Sequence, residues 1–425
     1  MSREVVKEET QSLFQWQRVK AFNLNIWVVL TGTLLARTSY FMAWPFLIVF
    51  LYNDYQVSAF EIGYMLASSA ALGAITGLYS GYISDIFGRK WVMIIGSIVA
   101  GLTYASIGFA NELWQFYVLI VLCGLMRPMI EAPGKAVIGD NLNEPKDREL
   151  ALNLRYFLVN LGGALGPLIG VTLALSSPQQ LFIIAGIVYM IYALWLFIGF
   201  SYSPEIQRKQ AEDTPKFTDT LKVLGKDSIF LILVIANILM MFVYGQLEAS
   251  IPQLVVRSGI DNATVVIAGL VLMNTMTIIL LQFPVLKLLE HVPTFKRTQI
   301  GMVMMALAQF IFMLTPLEWP IGWAIACFVL SLGEVIAFPS LSVQVDQMAP
   351  SHLRGTYHGA ASVYALGFAL APFIGGAMLQ WLNASWLFGL CLVLCFVMII
   401  LYRYVEQKVA NKSDILETNQ QQIQC

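Results

Sequence analysis

Ionisable side chains stand in the middle of stretches that are otherwise apolar, and these are the residues that could do chemistry. Arg37, Arg127 and Glu131 lie in such stretches in the first half of the chain, and Glu248 and Glu334 lie in the second half. An ionisable group inside a membrane span is costly and therefore marks a functional site by default. The chemistry expected of such carboxylates is the uptake and release of protons.

Arg127, Glu131 and Lys135 follow one another at intervals of four residues, which places them on one face of a helix. Two hypotheses remain open for the first pair. It is either a structural ion pair that orients helices, or a carboxylate held between burial and a cation, which can exchange a proton. We predict proton coupling for Glu131 and a place in the substrate cavity for Arg37 and Arg127.

Glu248 and Glu334 have no neighbouring cation in the sequence, so burial alone should favour their protonated form. Each is therefore predicted to carry a proton, and the alternative is a permanently protonated glutamate that donates one hydrogen bond. Aromatic and polar side chains of nearby apolar stretches are predicted to line the same cavity, namely Tyr40, Tyr244, Asn274 and Arg155. For Arg155 the alternative is an ion pair with Asp140.

A short charged segment joins two long apolar stretches, with the pattern Gly81-x3-Asp85-x2-Gly88-Arg89-Lys90. Between two spans there is room only for a tight turn, and Gly88 supplies a helix break at little steric cost. A carboxylate and two cations at the membrane surface can form a charge-assisted latch. The alternative is a solvated turn with ordinary anchoring cations.

Small residues recur later in the first half as Gly162-x3-Gly166-Pro167-x2-Gly170. Glycines let helices approach closely in a membrane, and a proline bends the helix that contains it. Helix packing alone is therefore one interpretation of this pattern.

Both patterns resemble those of a known family. The charged segment resembles the signature loop of the major facilitator superfamily of secondary transporters, and the glycine pattern resembles the antiporter motif of its drug:proton exchangers. Arg127, Glu248 and Glu334 are also similar to residues of these exchangers. The resemblance covers residues 20–405 and implies that Asp140 is a partner of Arg89 in the latch.

The composition agrees with a membrane protein that crosses the bilayer many times. Of the 425 residues, 58% are hydrophobic and 12% are charged, whereas soluble proteins carry about 25% charged residues. The net charge of −1 suggests no nucleic-acid partner. The five cysteines suggest neither a disulfide framework nor a metal site, and no nucleophile–base set is found, so we expect no enzyme activity and no cofactor.

A span needs about 20 apolar residues. Twelve spans are predicted, at about 24–51, 59–84, 91–110, 113–139, 150–175, 179–201, 228–254, 263–288, 298–316, 320–345, 356–382 and 385–404. They group into six-helix bundles over 24–201 and 228–404, with a cytoplasmic N-terminal segment over 1–23, a cytoplasmic linker over 202–227 and a disordered cytoplasmic tail over 405–425.

The two halves also repeat one another in sequence. Pro133, Asp140 and Arg148 recur in the same order as Pro339, Asp346 and Arg354. Parallel repeats of six spans are typical of the major facilitator fold, which is all-α. Lys and Arg cluster in the loops of one side, which predicts that both termini are cytoplasmic. The expected location is the plasma membrane, the inner membrane of a bacterium.

The resemblance implies a proton-coupled secondary active transporter that exports small amphiphilic molecules by alternating access, as in multidrug efflux. The expected partners are a small-molecule substrate, protons and the lipid bilayer, and the protein is expected to be a monomer. Three alternatives remain open. The protein exports a specific metabolite, siderophore or lipid; it imports a nutrient by proton symport; or it is a receptor that does not transport, which the short loops disfavour.

Overall fold

The computed structural model describes residue 13 and residues 15–57, 59–174, 178–202, 217–257 and 263–424. Every regular element in these ranges is a helix, which confirms the all-α fold class. The helices of the first half are α1 Trp16–Lys20, α2 Leu24–Tyr55, α3 Ala59–Phe87, α4 Arg89–Ile107, α5 Leu113–Asn141, α6 Pro145–Ala174 and α7 Pro178–Ser201.

The helices of the second half are α8 Phe217–Lys226, α9 Ser228–Arg257, α10 Ala263–Leu288, α11 Thr294–Leu314, α12 Pro320–Met348, α13 Arg354–Ala361, α14 Ala365–Trp381 and α15 Ala384–Gln424. Two short 3-10 turns, Ser351–Leu353 and Ser362–Tyr364, flank α13. Ten segments of the described chain are long and apolar enough to cross a membrane. The helices α3 and α6 are 29 and 30 residues long but are not among these ten, so the count of twelve stays a prediction.

Local sequence signals set several helix ends. The side chain of Asn23 accepts a hydrogen bond from the backbone of Ile26 and so caps α2. Gly88 has a φ of 90°, which glycine adopts without strain, and this residue separates α3 from α4. Pro320 is the first residue of α12, where its missing N–H costs no helical hydrogen bond.

The two halves use the same helix pairings. In the first half α2 packs on α6 and α7, α3 on α5, and α4 on α5 and α7. In the second half α9 packs on α14 and α15, α10 on α12, and α11 on α12 and α15, which are the corresponding elements of the repeat. Each half encloses a core of buried apolar side chains that belongs almost wholly to that half. The internal repeat seen in the sequence is therefore present in the packing.

The halves meet where α3 contacts α13 and α14, and where α6 contacts α10 and α12. Gly81 allows the first contact, because a Cβ atom at this position would lie 2.1 Å from the carbonyl oxygen of Gly355. The most extensive contact between the halves, that of α3 with α13, lies at the end of the bundle that carries Asp85, Arg89 and Asp140. We call this end the charged end.

One prediction about the second half needs correction. The span predicted over 356–382 overlaps the membrane-crossing segment Ser351–Trp381, and it contains a 3-10 turn at Ser362–Tyr364. The tail predicted to be disordered from residue 405 continues α15 as a helix. Val405 is fully buried, and Glu406 accepts a hydrogen bond from Gln299 at 2.8 Å, so contacts with the bundle extend the helix past the predicted end of the span. Of the predicted linker, residues 203–216 lie outside the described residues, and Phe217–Lys226 is a helix.

Candidate functional site

A cavity in the first half collects the arginines that the sequence analysis singled out. It contains about 440 Å³ of space free of protein atoms, part of it open to solvent, and Arg37, Arg127, Glu131 and Arg155 line it. One oxygen of Glu131 lies 2.7 Å from Nη2 of Arg37 and 2.7 Å from Nε of Arg127. Arg127 also lies over the ring of Tyr40, 5.2 Å from the ring centre. The cavity therefore has three guanidinium groups and one carboxylate.

The spacing of four residues predicted that Glu131 and Arg127 are neighbours, and they form an ion pair along α5. The second arginine on the same carboxylate, Arg37, comes from α2, and sequence spacing could not place it there. Arg155 does not form an ion pair with Asp140, which was the alternative for it. It is buried in the wall of the cavity instead.

Glu334 lies deep between the halves, with only 2% of its surface exposed. Its two carboxylate oxygens accept hydrogen bonds from the hydroxyl of Tyr156 at 3.0 Å and from the side-chain amide of Asn274 at 2.7 Å. Tyr156 belongs to α6 of the first half, so this contact joins the two halves. No cation pairs with Glu334 among the described residues. The sequence analysis assigned Glu334 to the proton site and Asn274 to the substrate cavity, and Tyr156 was among the residues predicted for neither.

Tyr244 and Asn274, both predicted to line a cavity, lie near this carboxylate. Asn274 also donates a hydrogen bond to the hydroxyl of Ser331 at 3.0 Å. Tyr244 packs edge-to-face on Phe338, with ring centres 4.9 Å apart, and interacts electrostatically with Glu334. The predicted cavity residues thus divide into an arginine group in the first half and an oxygen-rich group around Glu334.

Glu248 differs from Glu334 in its exposure to water. Its side chain is exposed, although it lies well inside α9. It interacts electrostatically with Tyr40 of the first half, so it faces the space between the halves. Arg127 is exposed in the same way, with 45% of its side chain accessible. Water can therefore reach the centre of the bundle.

The glycine pattern of α6 brings this helix against α2 beside the arginine cavity. A Cβ atom on Gly162 would lie 2.8 Å from Cβ of Arg37, and one on Gly166 would lie 2.7 Å from Cβ of Phe41. Pro167 follows within α6, and Gly170 is buried one turn further on. The small residues thus set the position of Arg37 relative to Arg155 through close helix contact.

The charged end holds the latch residues in one network. Arg89 forms an ion pair with Asp85 and a second one with Asp140, whose oxygen lies 3.1 Å from Nε of Arg89. Asp85 also accepts hydrogen bonds from the backbone N–H of Gly355 at 3.1 Å and of Thr356 at 2.8 Å, and from the Thr356 hydroxyl at 2.6 Å. These donors lie in the first turn of α13, where the N–H groups have no helical partner. Asp85 thereby ties the first half to the second.

Two further ion pairs cross between the halves at positions related by the repeat. Arg354 pairs with Asp140 at 3.2 Å, and Arg148 pairs with Asp346 at 2.8 Å. Each carboxylate therefore binds the arginine of the opposite half. Lys90, in contrast, does not join this network. Its ammonium group contacts the hydroxyl of Ser201 at 2.9 Å, within the first half.

Comparison with known proteins agrees with these observations. The sequence profile of the Major Facilitator Superfamily matches residues 29–365. An uncharacterized MFS-type transporter of Bacillus subtilis, YqjV, is 29% identical over 360 residues, which are 84% of this chain and 87% of that protein.

Two relatives have assigned activities. A Na(+), Li(+), K(+)/H(+) antiporter of Planococcus maritimus is 26% identical over 401 residues, covering 87% of this chain and 93% of the relative. The multidrug resistance protein MdtH of Escherichia coli strain SE11 is 22% identical over 377 residues, covering 87% and 88%. The chain belongs to the Major Facilitator Superfamily, whose members are membrane transporters.

Proposed function

We propose that this protein is a proton-coupled secondary active transporter that exports small amphiphilic molecules. The observation that carries the proposal is the buried carboxylate of Glu334, which has no cation partner among the described residues and bonds to Tyr156 across the two halves. Burial disfavours the charged form of such a group, so it can bind a proton in one state and release it in another. The antiporter and the multidrug resistance protein among its relatives support this direction.

Coupling follows from the position of Tyr156 and Arg155, which are consecutive residues of α6. Arg155 lines the arginine cavity, and Tyr156 bonds to the proton site. A substrate that shifts α6 therefore changes the hydrogen bonds of Glu334. If binding of the substrate lowers the proton affinity of Glu334, the proton lowers the substrate affinity by the same factor. Glu131 and Glu248 stay further candidates for the proton, and the two arginines on Glu131 favour its charged form.

The difference between the joined charged end and the exposed space between the halves supports transport by alternating access. The halves are joined at the charged end, whereas Arg127 and Glu248 are exposed in the space between them. We assign the charged end to the cytoplasmic side of the plasma membrane, together with both termini, and we take the halves as the two bundles that move. The conformation is then closed to the cytoplasm, and a monomer is sufficient for the cycle.

Exchange of a monovalent cation for protons is the second candidate. The surroundings of Glu334 contain the hydroxyl oxygens of Ser331 and Tyr156, and hard cations prefer oxygen ligands. The relative from Planococcus maritimus is an antiporter of such cations. Both candidates use the proton site at Glu334. The first exchanges protons for an amphiphilic molecule, and the second exchanges them for a monovalent cation.

Reconstituted proteoliposomes test both candidates. An imposed pH gradient should drive accumulation of a substrate from a panel of rhodamine 6G, 1-naphthoate, Na⁺, Li⁺ and K⁺, with protons moving in the opposite direction. Glu334→Gln should abolish the gradient-driven transport, and Glu318→Gln, the same change at an exposed loop residue, should leave it intact. Protons that move in the same direction as the substrate would instead identify an importer by symport.

A further inference from the structure

Arg155 is a buried cation whose guanidinium contacts no carboxylate directly in the described part of the chain. It is 7% exposed, and its Nε has no hydrogen-bond partner among the described side chains and backbone groups. Among the described residues it takes part in no ion pair, yet it lines the arginine cavity. Leaving a buried guanidinium unpaired is costly, and such a group is stabilised when an anion binds to it.

The other charges of the cavity do not neutralise Arg155. Arg37 and Arg127 share the single carboxylate of Glu131. Three arginines and one glutamate leave an excess of two positive charges in the cavity wall. Lys135, one turn further along α5, is 8% exposed, and its ammonium group lies 5.8 Å from the ring centre of Tyr364.

The cationic character continues towards the charged end. A second, smaller cavity is lined by Lys135, Asn237 and His358. The amide nitrogen of Asn237 and Nε2 of His358 are buried there, and neither has a hydrogen-bond partner in the described ranges. The strongest charged neighbours of His358 are Lys135, Arg155, Arg89 and Arg354, and all of them are cations. Buried donors and cations thus follow one another along the boundary between the halves, and the carboxylates of the charged end pair with Arg89 and Arg354 but not with Lys135 or Arg155.

We propose that the transported molecule carries an anionic oxygen group, a carboxylate, phosphate or sulfonate, which Arg155 binds in the arginine cavity. The planar guanidinium fork fits such a group with two parallel hydrogen bonds. Val29, Ala36, Ile130 and Tyr189 supply apolar surface for the rest of an amphiphilic molecule. This substrate class rests on the proposed function as a transporter. The anion site in the first half and the proton site at Glu334 then adjoin through Arg155 and Tyr156.

Binding of three probes with the same ring system tests the proposal without a proton gradient. The probes are 1-naphthoate, 1-naphthamide and 1-naphthylmethylammonium, titrated calorimetrically into the full chain in lipid nanodiscs. We expect the wild-type protein to bind the carboxylate at least about tenfold more tightly than the neutral amide, because only the carboxylate pairs with Arg155. Arg155→Gln should remove this preference. Lys222→Gln, which removes an exposed cation of α8, should retain it.

The comparison of probes on the wild-type protein needs no variant, so a folding defect in Arg155→Gln cannot hide the answer. Equal affinity for the carboxylate and the amide, tighter binding of the ammonium probe, or no binding of any probe would overturn the anion site. A preference for naphthoate without proton-coupled transport would refute the proposed function and leave the anion site in place. Proton-coupled transport without a preference for naphthoate would refute the anion site and leave the proposed function in place.

Discussion

Asp85→Asn should weaken closure at the charged end by a calculable amount. The side chain of Asp85 is 1% exposed, so water cannot replace lost partners. It accepts three hydrogen bonds from Gly355 and Thr356 and pairs with Arg89. Asparagine has no charge and only one acceptor oxygen. If that oxygen faces Thr356, the amide N–H₂ faces the N–H of Gly355 and cannot accept its hydrogen bond.

The loss follows from the hydrogen bonds alone. A hydrogen bond to a charged group contributes about 1.5–3 kcal/mol, and a neutral one contributes about 1 kcal/mol. In the variant the hydrogen bond from Gly355 is lost, and the two hydrogen bonds from Thr356 go to a neutral oxygen and not to a charged one. Together these changes should destabilise the closed state by about 3 kcal/mol. Since about 1.4 kcal/mol is a factor of ten, the ratio of closed to open protein should fall by about 100-fold.

Paired spin labels measure this ratio directly. Labels on Glu144→Cys and Ser351→Cys, two exposed positions in opposite halves at the charged end, should report a longer distance in a larger share of molecules when Asp85 is replaced. Thr356→Val removes only the hydroxyl donor and should shift the ratio in the same direction by about tenfold. Asp219→Asn, an exposed carboxylate of α8, is the control and should shift nothing.

An unchanged distance distribution in a folded Asp85→Asn protein would refute the idea that this residue holds the halves together. A shift of equal size in Asp219→Asn would attribute the effect to net charge and not to the latch.

Three further predictions concern coupling, closure and topology. Glu334→Gln should still bind substrate but lose most of the pH dependence of its affinity. In the wild type the proton and the substrate compete, so substrate affinity should rise with pH, and identical pH curves for both proteins would remove Glu334 from coupling. Gly81→Ala should reduce transport at least about tenfold, because the new Cβ would lie 2.1 Å from the backbone carbonyl oxygen of Gly355, which cannot easily move. Transport at the wild-type rate would show that the close contact with Gly355 is not needed. Single cysteines replacing Gln210 and Arg257 should react with a membrane-impermeant thiol reagent from opposite sides of the membrane, and labelling from one side would contradict the predicted topology.

Sequence reasoning placed residues well where the relevant neighbour is close along the chain. The interval of four residues predicted the pair of Arg127 and Glu131 because a helix brings such positions together. The break at Gly88 followed from the length of the apolar stretches and the conformational freedom of glycine. The repeat of Asp140 and Arg148 as Asp346 and Arg354 identified the pseudo-symmetric positions, although not their partners.

Contacts between distant helices were beyond reach of the sequence. Arg37 reaches Glu131 because α2 contacts α5, and Tyr156 reaches Glu334 because α6 contacts α12. Likewise, the exposure of Glu248 depends on the space left between the halves, and Lys90 binds Ser201 because α4 packs on α7.

The sequence by itself determined the fold class, the family resemblance and the ionisable residues inside the spans. These depend on hydrophobic stretches and short motifs, which are formed by residues close together in the sequence. The tertiary structure decided which charges are paired, and it left Arg155 in the cavity wall without an ion pair among the described residues. Pairing depends on distances between side chains far apart in the chain, and these distances are fixed only when the helices pack.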